Sequence, residues 1–239
     1  MTRTSLESTA QRRSTDELRA LADQPWAEQA TAADVLAWAA HEFGPLLSVA
    51  CSMQDAVLPH LVSQHRPGVD VLFLDTGYHF QQTVDTRELV AFHLPVTVVD
   101  VRPRQTVAEQ DAEHGPRLYE RDPAACCRLR KVEPLARELA GYEAWVTGVR
   151  REESALRAGT PVVTFDEAHG LVKINQLATW TLEDLMAYSR EHQLPANPLL
   201  DDGYPSIGCA PCTRRVAPGD DVRAGRWAGF EKTECGIHQ

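Results

Sequence analysis

Short apolar runs alternate with amphipathic stretches through the middle of this chain. The apolar runs have the length of strands, and they cover residues 46–50, 71–74, 96–99 and 144–146, with 172–174 as a further candidate. The stretches between them have helical periodicity, and they cover residues 55–65, 80–92 and 131–140. Strands that alternate with helices predict an α/β fold, a mostly parallel sheet with helices on both faces.

The two ends of the chain differ from this middle part. Amphipathic helices are predicted near residue 15, at 32–43 behind a Thr31–Asp34 capping box, and at 181–191 behind Thr181. From Pro195 onward Pro, Gly, Cys and Arg dominate and the apolar periodicity stops, which predicts a loop-rich tail. We therefore predict a disordered N-terminus at 1–13, a single α/β domain at 14–215 and a mobile C-terminal tail at 216–239.

Composition narrows the class of protein. The chain has 239 residues, 43% of them hydrophobic, and a net charge of −10. Such an acidic balance argues against non-specific nucleic-acid binding. No apolar stretch is long enough to span a membrane and no secretory signal is recognisable, so we expect a cytoplasmic protein. Local basic clusters, at 128–131, 150–151 and 214–226, suit either a small anionic ligand or a solvated basic face.

Three polar turns follow predicted strands, at residues 50–55, 75–77 and 147–151. Because ligands of open parallel sheets bind beyond the carboxyl ends of the strands, these turns together predict a nucleotide site. The first turn begins a helix and suits an anion, although it lacks the glycines and lysine of an ATP-hydrolysing phosphate loop. The candidate residues in the three turns are Ser52, Asp55, Leu74, Asp75, Thr76, Gly77, Arg150 and Arg151.

Four of the six cysteines form two pairs. Cys126 and Cys127 are adjacent, and Cys209 and Cys212 have the Cys-x-x-Cys spacing. Four thiolates fit tetrahedral zinc and a 4Fe–4S cluster equally well by count. Cys51 follows a strand and is predicted to be a small buried residue.

Cys235 stands alone near the end of the chain. Lys232 and His238 are its neighbours, and Arg223 and Arg226 lie upstream. Positive charge lowers a thiol pKa and favours the reactive thiolate, so Cys235 is the candidate nucleophile; an inert tail cysteine is the alternative.

At these residues the chain resembles the phosphoadenylyl-sulfate reductase family, and within it the assimilatory adenosine 5′-phosphosulfate (APS) reductases. The resemblance extends from about residue 45 to the end, and its motifs are LDTGY at 74–78, CC at 126–127 with RK at 130–131, TGVRR at 147–151, GCAPC at 208–212, RAGRW at 223–227 and KTECGIH at 232–238. It implies an adenine-nucleotide alpha-hydrolase-like (PP-loop-type) sheet and Cys235 as nucleophile. It also implies one 4Fe–4S cluster on Cys126, Cys127, Cys209 and Cys212, and substrate contacts from Lys131, Arg223, Arg226 and His238, with Arg150 or Arg151.

The implied reaction is thioredoxin-dependent reduction of APS to sulfite and AMP in sulfate assimilation, through a Cys235 S-sulfonate. The implied partner is thioredoxin or a similar dithiol protein, and a homo-oligomer is compatible with the sequence. Ala124 and Ala125 stand where family members often carry a histidine before the paired cysteines. Three alternatives remain open: a reductase of the 3′-phosphorylated nucleotide (PAPS), a non-catalytic zinc-stabilised nucleotide-binding module, and a nucleotide pyrophosphatase of the same fold.

Overall fold

One six-stranded sheet forms the centre of the computed structural model, which describes residues 12–230, 232 and 234–238. The strands are β1 (Leu47–Ala50), β2 (Val69–Leu74), β3 (Val96–Val101), β4 (Ala144–Val146), β5 (Val163–Asp166) and β6 (Leu171–Ile174). Their order is β3-β2-β1-β4-β6-β5, and every neighbouring pair is parallel except β5 and β6. The predicted mostly parallel α/β sheet is confirmed, with an antiparallel edge strand that the sequence analysis missed.

Nine α-helices connect or flank these strands within the described residues. They are α1 (Thr15–Leu21), α2 (Ala32–Phe43), α3 (Val57–His65), α4 (Gln81–His93), α5 (Val107–His114), α6 (Leu118–Arg121), α7 (Pro123–Cys127), α8 (Glu133–Leu139) and α9 (Leu182–Glu191). The capping boxes predicted at Thr31 and Asp34 of α2 are present, and Thr181 and Asp184 form another at α9. Both boxes satisfy backbone N–H groups that the first helical turn leaves without partners.

Two helix starts differ from the prediction. Asp55 lies two residues before the start of α3 and its Oδ1 accepts a hydrogen bond from the Val57 N–H (3.0 Å), so Asp55 belongs to the turn before the helix and not to the helix itself. The helix predicted from Lys131 begins with a π-helical turn at Arg128–Val132, and regular α-helix starts at Glu133. π-turns of this kind occur mostly at functional sites. The sequence analysis also missed the short helices α5 to α7.

Each face of the sheet is covered by its own apolar cluster because successive strand residues point to opposite faces. Val71 and Phe73 of β2 belong to the larger cluster, which includes Leu36 of α2 and Val62 of α3. Leu72 of the same strand faces the other way, into a cluster that includes Trp145 and Leu135 of α8. The partly buried tail residue Ile237 packs against this second cluster. The tail is thereby in contact with the core of the domain.

The ends of the chain add little regular structure. From Pro195 onward, the described residues contain only the short 3₁₀ turns Pro198–Leu200 and Ala210–Cys212. Most of the predicted disordered segment 1–13 lies outside the described residues; its last residue, Arg13, forms ion pairs with Glu42 (2.6 Å) and Glu143 (2.7 Å). In the part of the chain that is described, no helix combines the length and apolarity needed to cross a bilayer.

Candidate active site

A cavity of about 200 Å³ opens at the carboxyl ends of β1, β2 and β4. The strand order reverses between β1 and β4, because β1 is followed along the chain by β2 on one side and paired with β4 on the other. Ligands of open α/β sheets bind at this kind of switch point. Residues from all three strand ends line the cavity: Ala50, Cys51 and Ser52 after β1, Leu72, Phe73 and Leu74 of β2, and Gly148, Val149 and Arg150 after β4.

Most of the predicted substrate-binding residues lie at this cavity. Those that line it are Ser52, Asp55, Leu74, Lys131, Arg150, Arg223, Arg226 and His238, together with the predicted nucleophile Cys235. The lining therefore combines residues from the strand ends, the π-turn and the tail. Positive charge dominates among the side chains that the tail and the π-turn contribute, which suits an anionic ligand.

Four other predicted contacts have structural partners beside the cavity. Asp75 Oδ2 pairs with Arg102 (3.1 Å), and Asp75 Oδ1 accepts the Gly77 N–H (3.2 Å). Gly77 has a φ of +73°, a left-handed value that glycine adopts without strain. Thr76 is buried and its carbonyl accepts a hydrogen bond from Arg130. Arg151 pairs with Glu28 (2.7 Å) and donates to the Thr160 carbonyl (2.8 Å).

Arg226 is held at the cavity wall by close packing. Its Nη1 donates to Ser206 Oγ (3.1 Å) and to the Ile207 carbonyl (3.3 Å), and its guanidinium lies 4.7 Å from the Trp227 ring centroid. A Cβ atom on Gly208 would lie 2.3 Å from Arg226 Nη2, so any larger residue there would displace the guanidinium from this position. Arg226 Nε is buried and has no hydrogen-bond partner within the described residues. The arginine thus keeps a donor available for a ligand.

Burial and the surrounding charges set the electrostatics of the first turn. Asp55 lies in the cavity wall, and burial raises the pKa of its carboxyl despite the hydrogen bond from Val57 and the nearby Arg150. Cys51 is half-buried, and burial followed by the charge of Asp55 raises the pKa of its thiol to about 12. The raised pKa favours the neutral thiol, and Cys51 is half-buried where a buried residue was predicted.

The four paired cysteines line a second, smaller cavity next to the first. Cys126, Cys127 and Cys209 are buried, and Cys212 is half-buried. Burial and repulsion from the other three thiolates raise the pKa of Cys126 to about 12. Burial likewise raises the pKa of Cys212 to about 11. No group of three His, Cys, Asp or Glu residues in the described parts of the chain is close enough to hold a single metal ion.

Lys131 lines both cavities. Burial opposes the charge of its ammonium, but attraction to Cys209, Cys235 and Cys127 outweighs burial and raises its pKa. The buried Cys209 thiol has a lowered pKa, since Lys131 and a hydrogen bond with Thr76 Oγ1 (3.3 Å) overcome its burial. One ammonium therefore lies between the cysteine cluster and the predicted nucleophile.

The tail reaches the cavity through both its polar and its aromatic side chains. His238 stacks on Trp145, with ring centroids 5.7 Å apart and an interplanar angle of 17°. Burial and then the charges of Lys173, Arg157 and Arg223 hold the pKa of His238 well below its usual range. His238 is therefore neutral in this environment and can accept or donate a hydrogen bond.

Sequence reasoning missed several residues that line the cavity, among them His79, Glu153, Arg157 and Glu234. Glu153 and Arg157 are four residues apart, a spacing typical of ion pairs on a helix, and this was a usable signal. Glu234 directly precedes Cys235 in the KTECGIH motif, and it was quoted there without a role. The position of His79, whose Nε2 lies 2.7 Å from the Leu74 carbonyl oxygen, has no comparable signal.

Comparison with known proteins yields one consistent family. The family model described as the phosphoadenosine phosphosulfate reductase domain matches residues 44–215. A protein of Streptomyces coelicolor named adenosine 5′-phosphosulfate reductase is 58% identical over 228 residues, covering 95% of this chain and 97% of that protein. A Mycobacterium tuberculosis protein of the same name is 48% identical over 241 residues, covering 93% and 95%.

Solved structures agree with this result. The crystal structure of a phosphoadenylyl-sulfate (PAPS) reductase from Candida auris in a phosphate complex has a TM-score of 0.68 and 31% identity, covering 85% of this chain and 99% of that one. The FMN adenylyltransferase of Candida glabrata, at a TM-score of 0.54 and 14% identity, covers 95% and 81% and shares the fold alone. The predicted PP-loop-type, nucleotide-binding class of sheet is thereby confirmed.

Proposed function

Because the chain belongs to the phosphoadenosine phosphosulfate reductase family, we propose that it is a thiol-dependent reductase that converts APS to sulfite and AMP. The observation that carries this proposal is the meeting of Cys235 with Lys131, Arg223 and Arg226 at one cavity on the switch point of the sheet. Relatives that are 48% to 58% identical are named adenosine 5′-phosphosulfate reductase, which favours APS over its 3′-phosphorylated form.

The nucleotide would bind with its adenosine at the end of β2 and its phosphosulfate toward the cations. Leu74 is half-buried at the cavity and offers an apolar contact for the base. Ser52 and Arg150 line the wall between the two ends and suit the phosphate. Lys131, Arg223, Arg226 and the neutral His238 would stabilise the charge that develops on the leaving phosphate oxygens, as preorganised donors do.

The chemistry that we propose is a two-step transfer at sulfur. The Cys235 thiolate attacks the sulfate sulfur, so an S–S bond forms, the S–O bond to the phosphate breaks, and AMP leaves with the electron pair. Cys235 then carries an S-sulfonate. A thiolate of a dithiol partner of the thioredoxin type attacks Cys235 Sγ, sulfite leaves, and the partner's second thiol resolves the mixed disulfide. Both electrons come from that dithiol, which ends as a disulfide.

The four paired cysteines line one small cavity and three of them are buried, although no three of them lie close enough in this structure to hold a single metal ion. Thiolates that line one cavity repel one another unless a cationic centre offsets their charge. Cys126, Cys127, Cys209 and Cys212 would hold one 4Fe–4S cluster, with zinc as the alternative. The cluster would supply an electrostatic field next to the site and no electrons. Lys131 would attract both the thiolates of the cysteine cavity and the substrate anion.

The proposed reaction also indicates where in the cell the enzyme acts. A dithiol reductant and a soluble nucleotide substrate indicate a cytoplasmic enzyme of sulfate assimilation, with no nucleic-acid partner. A reductase of PAPS is the second candidate, since the similar Candida auris structure is titled phosphoadenylyl-sulfate (PAPS) reductase.

The proposal is tested by mixing anaerobically purified protein with APS in the absence of any reductant. We expect intact-mass analysis to find the added mass of one SO₃ group, with one AMP released per adduct. A parallel reaction with PAPS separates the two nucleotides: an adduct with PAPS alone overturns the choice of APS. A colourless zinc protein that forms no adduct with either nucleotide supports the non-catalytic module instead, and iron and sulfide analysis of the same sample decides this.

Substituting Lys131 provides a further prediction. Lys131→Gln is expected to lower the rate of adduct formation by about 10²- to 10³-fold, since one preorganised cation next to the developing charge is lost. Iron content should stay near that of the wild type, because Lys131 is not a ligand. Lys131→Arg retains the charge and should recover part of the rate. Rapid-quench mass analysis measures both, and an unchanged rate for Lys131→Gln would remove Lys131 from the mechanism.

A further inference from the structure

A chain of ion pairs connects the turn after β4 to the tail. The Arg150 backbone N–H donates to Glu153 Oε2 (3.1 Å), and Arg157 Nη1 pairs with the same oxygen. Arg157 then binds Glu234 with two parallel hydrogen bonds, Nε to Oε1 at 2.9 Å and Nη2 to Oε2 at 2.7 Å. The carboxylate that ends this chain belongs to the residue immediately before Cys235.

The ion pair between Arg157 and Glu234 is sheltered from solvent and has the geometry of a strong contact. The two side chains are only 12% and 11% exposed, so solvent screens their attraction weakly. Burial opposes the charge on Arg157, but Glu234 and Glu153 outweigh it and raise the pKa of the guanidinium. A two-pronged contact of this kind also fixes the direction of the carboxylate, which a single surface ion pair does not. Arg223 adds one further bond to Glu234 Oε2 (3.0 Å).

A second anchor lies on the other side of Cys235. Gly236 has a φ of +88°, which turns the chain after the cysteine. Ile237 packs against the core cluster of Leu72 and Trp145, and His238 stacks on Trp145. The nucleophile therefore lies between an ionic anchor upstream and an apolar anchor downstream.

We propose that Arg157 is a positioning residue for Cys235, which acts through Glu234 and holds the thiol at the cavity for attack on the substrate. The two-pronged contact keeps the arm docked during the first step. Opening it releases Cys235 toward the dithiol partner for the second step, because one sulfur must meet both a bound nucleotide and a protein. This inference rests on the proposed reductase function and assigns to Arg157 a role other than binding the nucleotide.

The test compares Arg157→Gln and Arg157→Lys with the wild type in two measurements. The first is the rate of S-sulfonate formation in a single turnover. We expect Arg157→Gln to lower it by about 10- to 100-fold, because small misplacement of a nucleophile has effects of this size. The second is the rate at which iodoacetamide alkylates Cys235 in the nucleotide-free enzyme, followed by peptide mass analysis. We expect alkylation to be about tenfold faster once the anchor is lost.

Two further variants test whether Arg157 acts through its two-pronged contact with Glu234. Arg157→Lys keeps the charge but can make only one contact, so it should fall between the wild type and Arg157→Gln in both measurements. In a Glu234→Gln background, Arg157→Gln should have almost no additional effect, since a residue that acts only through Glu234 loses its role with it. Arg87→Gln is the matched control: Arg87 is similarly sheltered and pairs with Asp100 (3.0 Å), but on the β3 edge.

The outcomes separate the alternatives. If Arg157→Gln weakens AMP binding and leaves the alkylation rate of Cys235 unchanged, Arg157 binds the nucleotide and the proposal is wrong. An additive loss in the double variant also overturns it. Absence of an adduct in the wild type would overturn the reductase function instead, and the alkylation rates would still report whether Arg157 anchors the arm.

Discussion

Replacement of Cys235 by serine is expected to abolish the S-sulfonate adduct and to lower turnover by at least about 10⁴-fold, as loss of a nucleophile does in other covalent enzymes. A serine hydroxyl ionises far less readily than a thiol, and it cannot form the S–S bond on which the route depends. Cys235 is half-buried and lines the proposed substrate cavity together with Lys131, between the two tail anchors. No other group in the mechanism replaces it.

The measurement is intact mass after anaerobic mixing of Cys235→Ser enzyme with APS. Iron and sulfide content should match the wild type, because Cys235 is not among the four proposed ligands, and AMP should still bind because the cavity loses no charged side chain. An SO₃ adduct that survives this change would transfer the nucleophilic role elsewhere, with Cys51 as the first residue to check since it lines the same cavity.

Replacement of Cys209 by alanine is expected to have the second largest effect, the loss of the proposed iron–sulfur centre. Cys209 is buried, forms a hydrogen bond of 3.3 Å with the Thr76 hydroxyl and attracts Lys131, so it joins the cysteine cavity to the β2 turn and to the cation of the proposed substrate cavity. Removing one of four ligands should lower iron and sulfide to a small fraction of the wild-type content and abolish the visible absorption. The rate of adduct formation should fall together with the iron content, since Lys131 loses the attraction of the Cys209 thiolate.

Cys51→Ala is the matched control for this experiment, because Cys51 is the one other cysteine outside both the proposed ligand set and the reacting position. Its iron content should equal that of the wild type. Full iron and sulfide in Cys209→Ala would exclude Cys209 from the ligand set, and zinc in place of iron in the wild-type protein would favour the other centre that four thiols can hold.

The alternation of apolar runs and helical stretches was sufficient to predict the central sheet. Parallel strands are buried on both faces, so β1, β2 and β4 appear in the sequence as mostly apolar runs, with Ser48 and Asp70 as the polar exceptions. The edge strand β5 was missed because only half of its residues are buried and it has no such run. The helices α5 to α7 are short, and capping rather than apolar periodicity marks them, as at Thr106 and Asp122.

The site was predictable as far as topology determines it. Turns that follow parallel strands meet at one edge, so Ser52, Leu74 and Arg150 line one cavity as expected. The partners of individual side chains were not predictable, since they depend on contacts between distant segments. Asp75 pairs with Arg102 and Arg151 with Glu28, and no local pattern links those residues. The contact of Ile237 with the core near Trp145 was unpredictable for the same reason.

The π-turn at Arg128–Val132 fixes a register between the paired cysteines and Lys131. Each residue of an α-helix advances the direction of the next side chain by about 100°, so deleting one residue here would turn the lysine away from one of its two cavities. The spacing of four residues between Cys127 and Lys131 is therefore required for Lys131 to line both cavities. Insertions and deletions within this segment are therefore expected to disrupt the proposed site.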